Sequence, residues 1–508
     1  MTKEEYDVII IGGGITGAGT ARDCALRGLK VLLIERGDIA DGATGRNHGL
    51  LHSGARYAVK DGESARECIA ENKILRRIAP SCIEDTQGLF ITLPEDEDQG
   101  YGLDYQAKFI AACKEAGIKP ERLDPAEALA MEPSVNPALI GAVKVPDGAV
   151  DPFMLCAANV LDARLHGAKI MTRTALDSLI IEGGAVKGVR TVSTLNGEKA
   201  EYRARITVNA AGVWGQKVAQ MAGATVTMFP AKGALLVFAH RVNNMVINRC
   251  RKSADGDILV PGHTVSIIGT TSTKVPLDEC DSLSVTRDEV KLLLKEGSQL
   301  APSLASTRIL RAYAGVRPLV ASDDDPSGRS ISRGIVCLDH ESRDGIAGFV
   351  TITGGKLMTY RLMAETVTNL VCHKLNWIQK CVTASRPLPD TLDCKCESGD
   401  GEIICECENV SMGDIRAAVN NYDINTLEDL RRRTRIGMGT CQGTYCIRRA
   451  ARALAESQGA PERAASLEKE YLRERWKGMM PVGWGDTLRE MEFMQRVYKA
   501  GAPSTFKD

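Results

Sequence analysis

The chain has 508 residues, 44% hydrophobic and 25% charged, the make-up of a globular protein long enough for two or three buried cores. A formal net charge of −1 excludes the global basic field on which non-specific binding to nucleic acid or an anionic membrane depends. No run of about eighteen apolar residues occurs, which excludes a membrane-spanning helix of the ordinary kind.

The opening "MTKEEYDV" carries acidic residues where a secretory leader would be apolar, so no leader is expected. Sixteen cysteines in such a chain predict reduced thiols in a cytosolic compartment rather than a disulfide framework. Eight stand singly (Cys24, Cys68, Cys82, Cys113, Cys156, Cys250, Cys280 and Cys337) and are expected to be small core residues.

In "YDVIIIGGGITGAGTARDCALRGLKVLLIERGD" (6–38), Val8–Ile11 read as a strand buried on both faces. Gly12, Gly14 and Gly17 follow as G-x-G-x-x-G. They serve a tight turn, a close approach to a pyrophosphate, and the packing of helix on strand. Small and apolar residues from Ile15 to Leu29 predict a helix whose first amides face the phosphates. A second strand, Val31–Ile34, ends in Glu35, a carboxylate suited to accept from ribose hydroxyls and to repel a 2′-phosphate. Strand, helix, strand and acid in register predict dinucleotide binding, with Arg36 and Thr44 expected beside the same cofactor.

Next comes "ATGRNHGLLHSGARYAV" (43–59), where glycines alternate with bulky polar groups, as suits a loop pressed against a flavin. "RITVNAAGVWG" (205–215) reads as a strand running into Ala211-Gly212. "GFVTITGGKLMTYRLMAE" (348–365) reads as a strand, the pair Gly354-Gly355, and a helix beginning near Leu357. These two stretches resemble FAD enzymes of the amine-oxidase and glycerophosphate-oxidase type, whose FAD domain is assembled from sequence-distant pieces. The resemblance implies a substrate domain built on a sheet, with strands in "ALLVFAH" (234–240), "VSIIGTTS" (265–272) and "ILRAYAGVRPLV" (309–320).

The 43–59 loop, "KGALLVF" (232–238), "IIGTTS" (267–272), "AGVRPLVASDDDPSGR" (314–329) and "TITGGKLMTYRLMAE" (351–365) resemble flavin-dependent glycerol-3-phosphate dehydrogenases. Among these the chain is most similar to the catalytic A-subunit type of the anaerobic enzymes, over nearly its whole length. The resemblance implies oxidation of glycerol 3-phosphate to dihydroxyacetone phosphate by hydride transfer to FAD. A substrate bearing a phosphate and a secondary alcohol needs fixed cations and one proton acceptor. Arg56, Arg317 and Lys356 are the expected cations, with Tyr57 and Thr270 as neutral donors. The aerobic relatives place a histidine shortly after a Lys-Gly pair, whereas this chain has Lys232-Gly233-Ala234-Leu235. That departure leaves His52 as the candidate base, with His48 as a neighbour. The alternative is that Arg317 polarises the alcohol oxygen.

The Pro-, Asp-, Ser- and Gly-rich stretch 381–402 reads as a linker and includes Cys394 and Cys396, a pair that could compete as ligands. Beyond it, Cys405-x-Cys407 and Cys441-x₄-Cys446 are separated by 33 residues, with Thr426 placed as a helix cap. This arrangement resembles the bacterioferritin-associated-ferredoxin-like domain, which implies a 2Fe–2S cluster held by four thiolates. Glycines 437, 439 and 443 suit a backbone that approaches the sulfurs. Four thiolates also suit structural zinc, although a C-x-C pair is unusual there. Arg431, Arg432, Arg433 and Arg435 read either as a solvated helix face or as charge beside an anionic cluster or acidic partner. The tail, rich in Arg, Met and aromatic residues, is expected to pack on the flavin domain or to dock a partner.

The predicted fold is therefore α/β (α+β): a Rossmann-like FAD-binding domain (1–80, 146–215 and 341–380) interleaved with a sheet-based substrate domain (81–145 and 216–340). A linker (381–402), a small helical iron–sulfur domain (403–455) and a helical tail (456–508) follow. The resemblance further implies two partners, a membrane-associated iron–sulfur C subunit together with an FMN-binding B subunit. It places the chain at the cytoplasmic face of a bacterial inner membrane without a span of its own. Two rival readings remain. One is a flavin dehydrogenase of a 2-hydroxy acid or amino acid, and the other is a zinc-stabilised redox sensor.

Overall fold

The structure, a computed structural model, describes residues 4–320, 334–392 and 400–501, the last four by backbone alone. Its architecture is mixed α/β with two large sheets. The first has the strand Glu5–Ile11 at its centre, where Val8, Ile9 and Ile10 are fully buried. Parallel neighbours are Val31–Ile34 on one side and the end of Lys199–Asn209 on the other. Lys169–Met171 extends the parallel order beyond the former, and Phe349–Gly354 extends it beyond the latter. The hairpin Thr174–Glu182 and Ala185–Ser193 pairs antiparallel with the first half of Lys199–Asn209. The helix Ile15–Leu26 covers one face together with Pro152–Leu165 and Tyr360–Leu375. Continuous apolar runs in these strands follow from their being covered on both sides.

The second sheet has nine strands. Met228–Phe238 pairs antiparallel with Ile309–Val320 along its whole length, from Met228 opposite Val320 to Phe238 opposite Ile309. On its other edge lie Thr273–Lys274 and Val265–Gly269, and the sheet continues through Ile258–Gly262, Val246–Arg249 and Gly88–Thr92. The amphipathic helix Arg287–Leu300 buries Val290, Leu293 and Leu300 against Leu236 and Ile268.

Two expected boundaries shift. The strand Ile335–Asp339, placed by sequence in the substrate domain, forms an antiparallel pair with Phe349–Gly354 and so belongs to the first sheet. The helix Gly215–Met221 also belongs there, because Val218 and Ala219 share a core with Ile9 and Ile11.

The described part of the expected linker is not a free tether. Leu388 N donates to Ile78 O at 2.7 Å, and Thr383 and Thr391 are buried. Cys394 and Cys396 lie outside the described residues. The third unit pairs the short strands Ile403–Cys405 and Val410–Ser411 and adds the helices Met412–Asn421, Leu427–Thr434 and Ile447–Ser457. Thr426 caps the second of these: its hydroxyl accepts from Asp429 N at 3.1 Å while the Asp429 carboxylate accepts from Thr426 N at 3.0 Å. In the tail, Ala464–Met479 and Gly485–Gly501 pack on the iron–sulfur unit and on the second sheet. Val482 joins that sheet's core, and the Thr487 hydroxyl donates to Ile309 O at 3.1 Å. Among the described residues no helix is long and apolar enough to cross a membrane.

Candidate active site and cysteine centre

One cavity, of ≈ 1780 Å³, is lined by residues of both large sheets. At one end the sharp turn after Glu5–Ile11 brings Gly12 and Gly14 to its wall, and Ile15 N donates to the Thr44 hydroxyl at 3.0 Å. Gly17 is the one predicted cofactor residue that does not line the cavity. A Cβ there would strike the Gly12 carbonyl oxygen, so its function is to let the helix sit against the turn. Both Glu35 oxygens accept backbone amides, Gly13 N at 2.7 Å and Gly37 N at 2.8 Å. Burial nevertheless raises the Glu35 carboxyl above its ordinary range, against the opposing effect of those amides. Arg36 lies 4.3 Å from the Trp214 ring centroid and pairs with Asp281 at 2.5 Å. Ala211 and Gly212 are held at the wall by buried Asn209, whose amide donates to Gly215 O at 2.8 Å and to the Thr351 hydroxyl at 3.2 Å. Gly354, Gly355 and Leu357 complete this end.

These residues fit FAD. The glycine turn and helix start leave backbone rather than side chains at the wall, Glu35 offers a ribose acceptor, and the cavity continues past the nucleotide end toward a second set of groups. That set contains every predicted substrate residue: His52, Arg56, Tyr57, Thr270, Arg317 and Lys356. His52 and Tyr57 lie 5.6 Å apart by ring centroids, and His48 is 6.4 Å from His52. Lys356 Nζ donates to the Ser64 hydroxyl at 3.2 Å and lies 4.9 Å over the Tyr57 ring. Arg317 is half-buried. It donates to Thr271 O at 3.1 Å, to the Ser272 hydroxyl at 3.3 Å and to the Thr270 hydroxyl.

Three features escape a reading of the sequence. A Cβ on Gly233 would come within 2.7 Å of Arg317 Nη2, so this glycine makes room for the guanidinium. Its neighbour Lys232 is turned to Glu289 at 2.8 Å, and Ala234 and Leu235, where the aerobic relatives are expected to carry a histidine, are fully buried. The third is buried Asp257, which joins Arg56 at 3.0 Å to Arg251 at 2.7 Å. Burial alone would raise its carboxyl, but the two guanidiniums outweigh burial and hold it low. No local motif announces Asp257, because its partner Arg56 is distant in the chain.

The four cysteines of the third unit converge. Cys405 ends a strand, Cys446 caps the helix Ile447–Ser457, and Cys407 and Cys441 sit in the intervening turns. The Cys446 sulfur meets those of Cys405 and Cys441, and Cys407 meets Cys441. The hydrogen bond from Cys446, helped by the amides of Gly437 and Glu408 against burial, brings the Cys405 thiol down to about 6. Likewise Cys446, with the amides of Tyr445 and Gly443, brings Cys441 down to about 5. Cys407 is pushed up to about 11 by burial. Gly437 and Gly443, at φ of 73° and 87°, pass so close to Tyr471 that a Cβ would come within 2.5 and 2.7 Å of its hydroxyl.

Each iron of a 2Fe–2S cluster takes only two protein thiolates, so converging thiols with amide donors fit the cluster.

The arginine run is neither a solvated face nor a partner patch. Arg433 pairs with Asp38, and Arg432 pairs with Asp38 at 3.0 Å and Asp41 at 2.8 Å. Arg435 bridges Asp151 at 2.7 Å and Glu408 at 2.8 Å, while Arg431 pairs with Glu428 at 3.3 Å. Three of the four therefore clamp the cysteine unit to the nucleotide half.

Comparison with known proteins agrees with both halves. The FAD dependent oxidoreductase family matches residues 7–361, and the BFD-like [2Fe-2S] binding domain matches residues 403–456. FAD and a 2Fe–2S cluster are thus the cofactors of the chain, which sets aside the zinc-sensor reading. The chain is 57% identical to the A subunit of the anaerobic glycerol-3-phosphate dehydrogenase of Escherichia coli strain K12, over 98% of this chain and 97% of that protein. It is 39% identical to the A1 subunit of the corresponding Haloferax volcanii enzyme, over 98% and 91%. Among solved structures, the Bacillus halodurans glycerol-3-phosphate dehydrogenase complexed with FAD shares the fold, with TM-score 0.60 and 22% identity over 99% of this chain and 90% of that one. A glycine oxidase from Geobacillus kaustophilus also shares it, with TM-score 0.59 and 21% identity over 76% and 99%. The chain belongs to the FAD dependent oxidoreductase family and, within it, to the group formed by the A subunits of anaerobic glycerol-3-phosphate dehydrogenases.

Proposed function

We propose that this chain oxidises sn-glycerol 3-phosphate to dihydroxyacetone phosphate and hands the electrons singly to partner subunits and on to quinone. The observation that carries this reading is the 57% identity, across nearly the whole chain, to a protein named for that activity. The cavity supports it, since nucleotide-facing glycines and the cations Arg56, Arg317 and Lys356 share one wall system.

In this reading Arg56, Lys356, Tyr57 and Thr270 hold the phosphate and the primary hydroxyl, a dianion met by fixed cations. Asp257 orients Arg56 before substrate arrives. Arg317, pinned by Thr270, Thr271 and Ser272, places its charge where negative charge develops on the secondary alcohol oxygen. His52 takes the alcohol proton as the carbon–hydrogen bond breaks and the ketone forms. When bound, FAD supplies the two-electron acceptor for the departing hydride, and the 2Fe–2S cluster supplies one-electron transfer.

The partners in this proposal are a membrane-associated iron–sulfur C subunit together with an FMN-binding B subunit, at the cytoplasmic side of a bacterial inner membrane. The relatives from Escherichia coli and Haemophilus influenzae are themselves named as one subunit of an enzyme, which supports assembly with other chains. The rival oxidation of a 2-hydroxy acid or amino acid requires only a carboxylate clamp. Anaerobic mixing decides between them. Glycerol 3-phosphate should bleach the flavin absorbance, whereas 2-hydroxyglutarate and proline should not. Bleaching by either of those and not by glycerol 3-phosphate overturns the proposal.

A further inference from the structure

Five aromatic side chains are exposed among the described residues, and four of them (Tyr445, Trp476, Trp484 and Phe493) belong to the cysteine turn and the tail helices. Three of these are each the chain neighbour of a residue that takes part in one shared contact. Thr444 lies between the ligand positions Cys441 and Cys446, and its hydroxyl meets Arg475 Nη2 at 3.2 Å and the Met494 sulfur at 2.6 Å. Tyr445 follows Thr444 directly, Trp476 follows Arg475, and Phe493 precedes Met494. Their exposures are 66%, 49% and 53%. The backbone amide of Tyr445 donates to the Cys441 sulfur, so the most exposed of the three is bonded directly to a cluster ligand.

We propose that Tyr445, Trp476 and Phe493 form the docking face for a protein that carries a one-electron acceptor near its surface. This rests on the function proposed above. Exposed aromatics grouped on one small area mark interaction sites, since such side chains supply rigid apolar anchors at interfaces. The occupant is a redox protein because of where the face lies: at the edge of the cysteine centre, on the turn that carries two of its four ligands. At this face the reduced cluster would give one electron to the oxidised centre of the partner, and two such transfers clear the electron pair of one substrate. Relatives named as one subunit of an enzyme imply a second chain to receive them.

The test uses the holo-chain and the proposed FMN-binding subunit in a binding titration. Trp476→Ser/Phe493→Ser is compared with a control altered at exposed apolar positions elsewhere, Leu165→Ser/Ile378→Ser, where exposures are 66% and 91%. The first variant should bind at least about 30-fold more weakly, the scale of losing two hot-spot side chains, and the control should bind like the parent. Tyr445→Ala should weaken binding as well, with its cluster spectrum recorded alongside. Parent-like affinity of Trp476→Ser/Phe493→Ser overturns the proposal. So does loss of self-association in that variant with partner binding intact, which would assign the face to a second copy of this chain. Because binding is read separately from flavin bleaching, failure of the docking face and failure of the substrate reading are distinguishable.

Discussion

Arg433 and Asp38 form an ion pair in which the two side chains retain 2% and 1% exposure, joining the cysteine unit to the loop that follows Glu35. Asp38 lies three residues after Glu35, and Asp41, paired with Arg432, lines the cavity itself. One loop thus touches both cofactor regions. The cysteine unit is fixed on the flavin half rather than tethered to it.

Arg433→Met should destabilise the chain by about 3–5 kcal/mol, because it leaves the Asp38 charge buried without this partner. Burial pushes the Asp38 carboxyl up, but the Arg433 and Arg432 guanidiniums outweigh it and hold its pKa below the ordinary value. The stabilisation is therefore fully present above the unfolded-state value of about 3.9 and is lost as pH falls through the lower folded value. Denaturant unfolding of parent and variant across the acid range checks this. A gap that stays constant down to the lowest pH would refute it.

Gly233→Ala should mimic a mild Arg317 lesion, since the new methyl would displace the guanidinium. Arg317→Ala should slow flavin reduction by an amount equivalent to about 2–5 kcal/mol. Arg317→Lys should not restore the rate, because an ammonium cannot make the same set of fixed contacts. Stopped-flow bleaching measures all three. Parent-like rates in Arg317→Ala would move the substrate site elsewhere.

Glu35→Ala should release FAD more readily than the parent, as it removes the ribose acceptor and strands the Gly13 and Gly37 amides. Each unsatisfied amide costs about 1–3 kcal/mol. Retention on gel filtration and the FAD dissociation constant read the effect, and unchanged affinity would mean that the nucleotide binds in another way.

Cys441→Ser/Cys446→Ser should abolish the cluster absorbance while glycerol 3-phosphate still bleaches the flavin in one anaerobic turnover. Quinone reduction by the assembled complex should fall sharply. A folded, assembled variant without cluster that reduces quinone at the parent rate would rule out the cluster as the electron exit.

Arg475 Nη2 donates to Cys441 O at 3.2 Å, placing a buried cation beside the cysteine centre. Arg475→Met should lower the cluster's midpoint potential, because a nearby positive charge favours the more negative, reduced form. Arg475→Lys should recover part of the shift. A redox titration followed by electron paramagnetic resonance reads both, and an unchanged potential in Arg475→Met would leave the residue a purely structural part.

Local sequence is enough for the elements whose function is written in neighbouring residues. The glycine turn after Val8–Ile11, the acid ending the second strand and the Thr426 cap all depend on contacts within one motif. The strand Ile309–Val320 has the bounds its apolar run suggests. Long-range pairing decides the rest. Arg432, Arg433 and Arg435 look like a solvated helix face until Asp38, Asp41 and Asp151 are brought against them, and nothing near position 430 encodes those acids. Ile335–Asp339 reads as part of the wrong sheet because strand composition does not specify a partner, whereas the ladder from Ile335–Gly354 to Asp339–Val350 does. Gly233 and Asp257 become legible only once Arg317 and Arg56 are folded onto them. Residue type and spacing determine which chemistry a segment can offer, but which charges meet and which side chains leave room for others depends on packing between segments far apart in the chain.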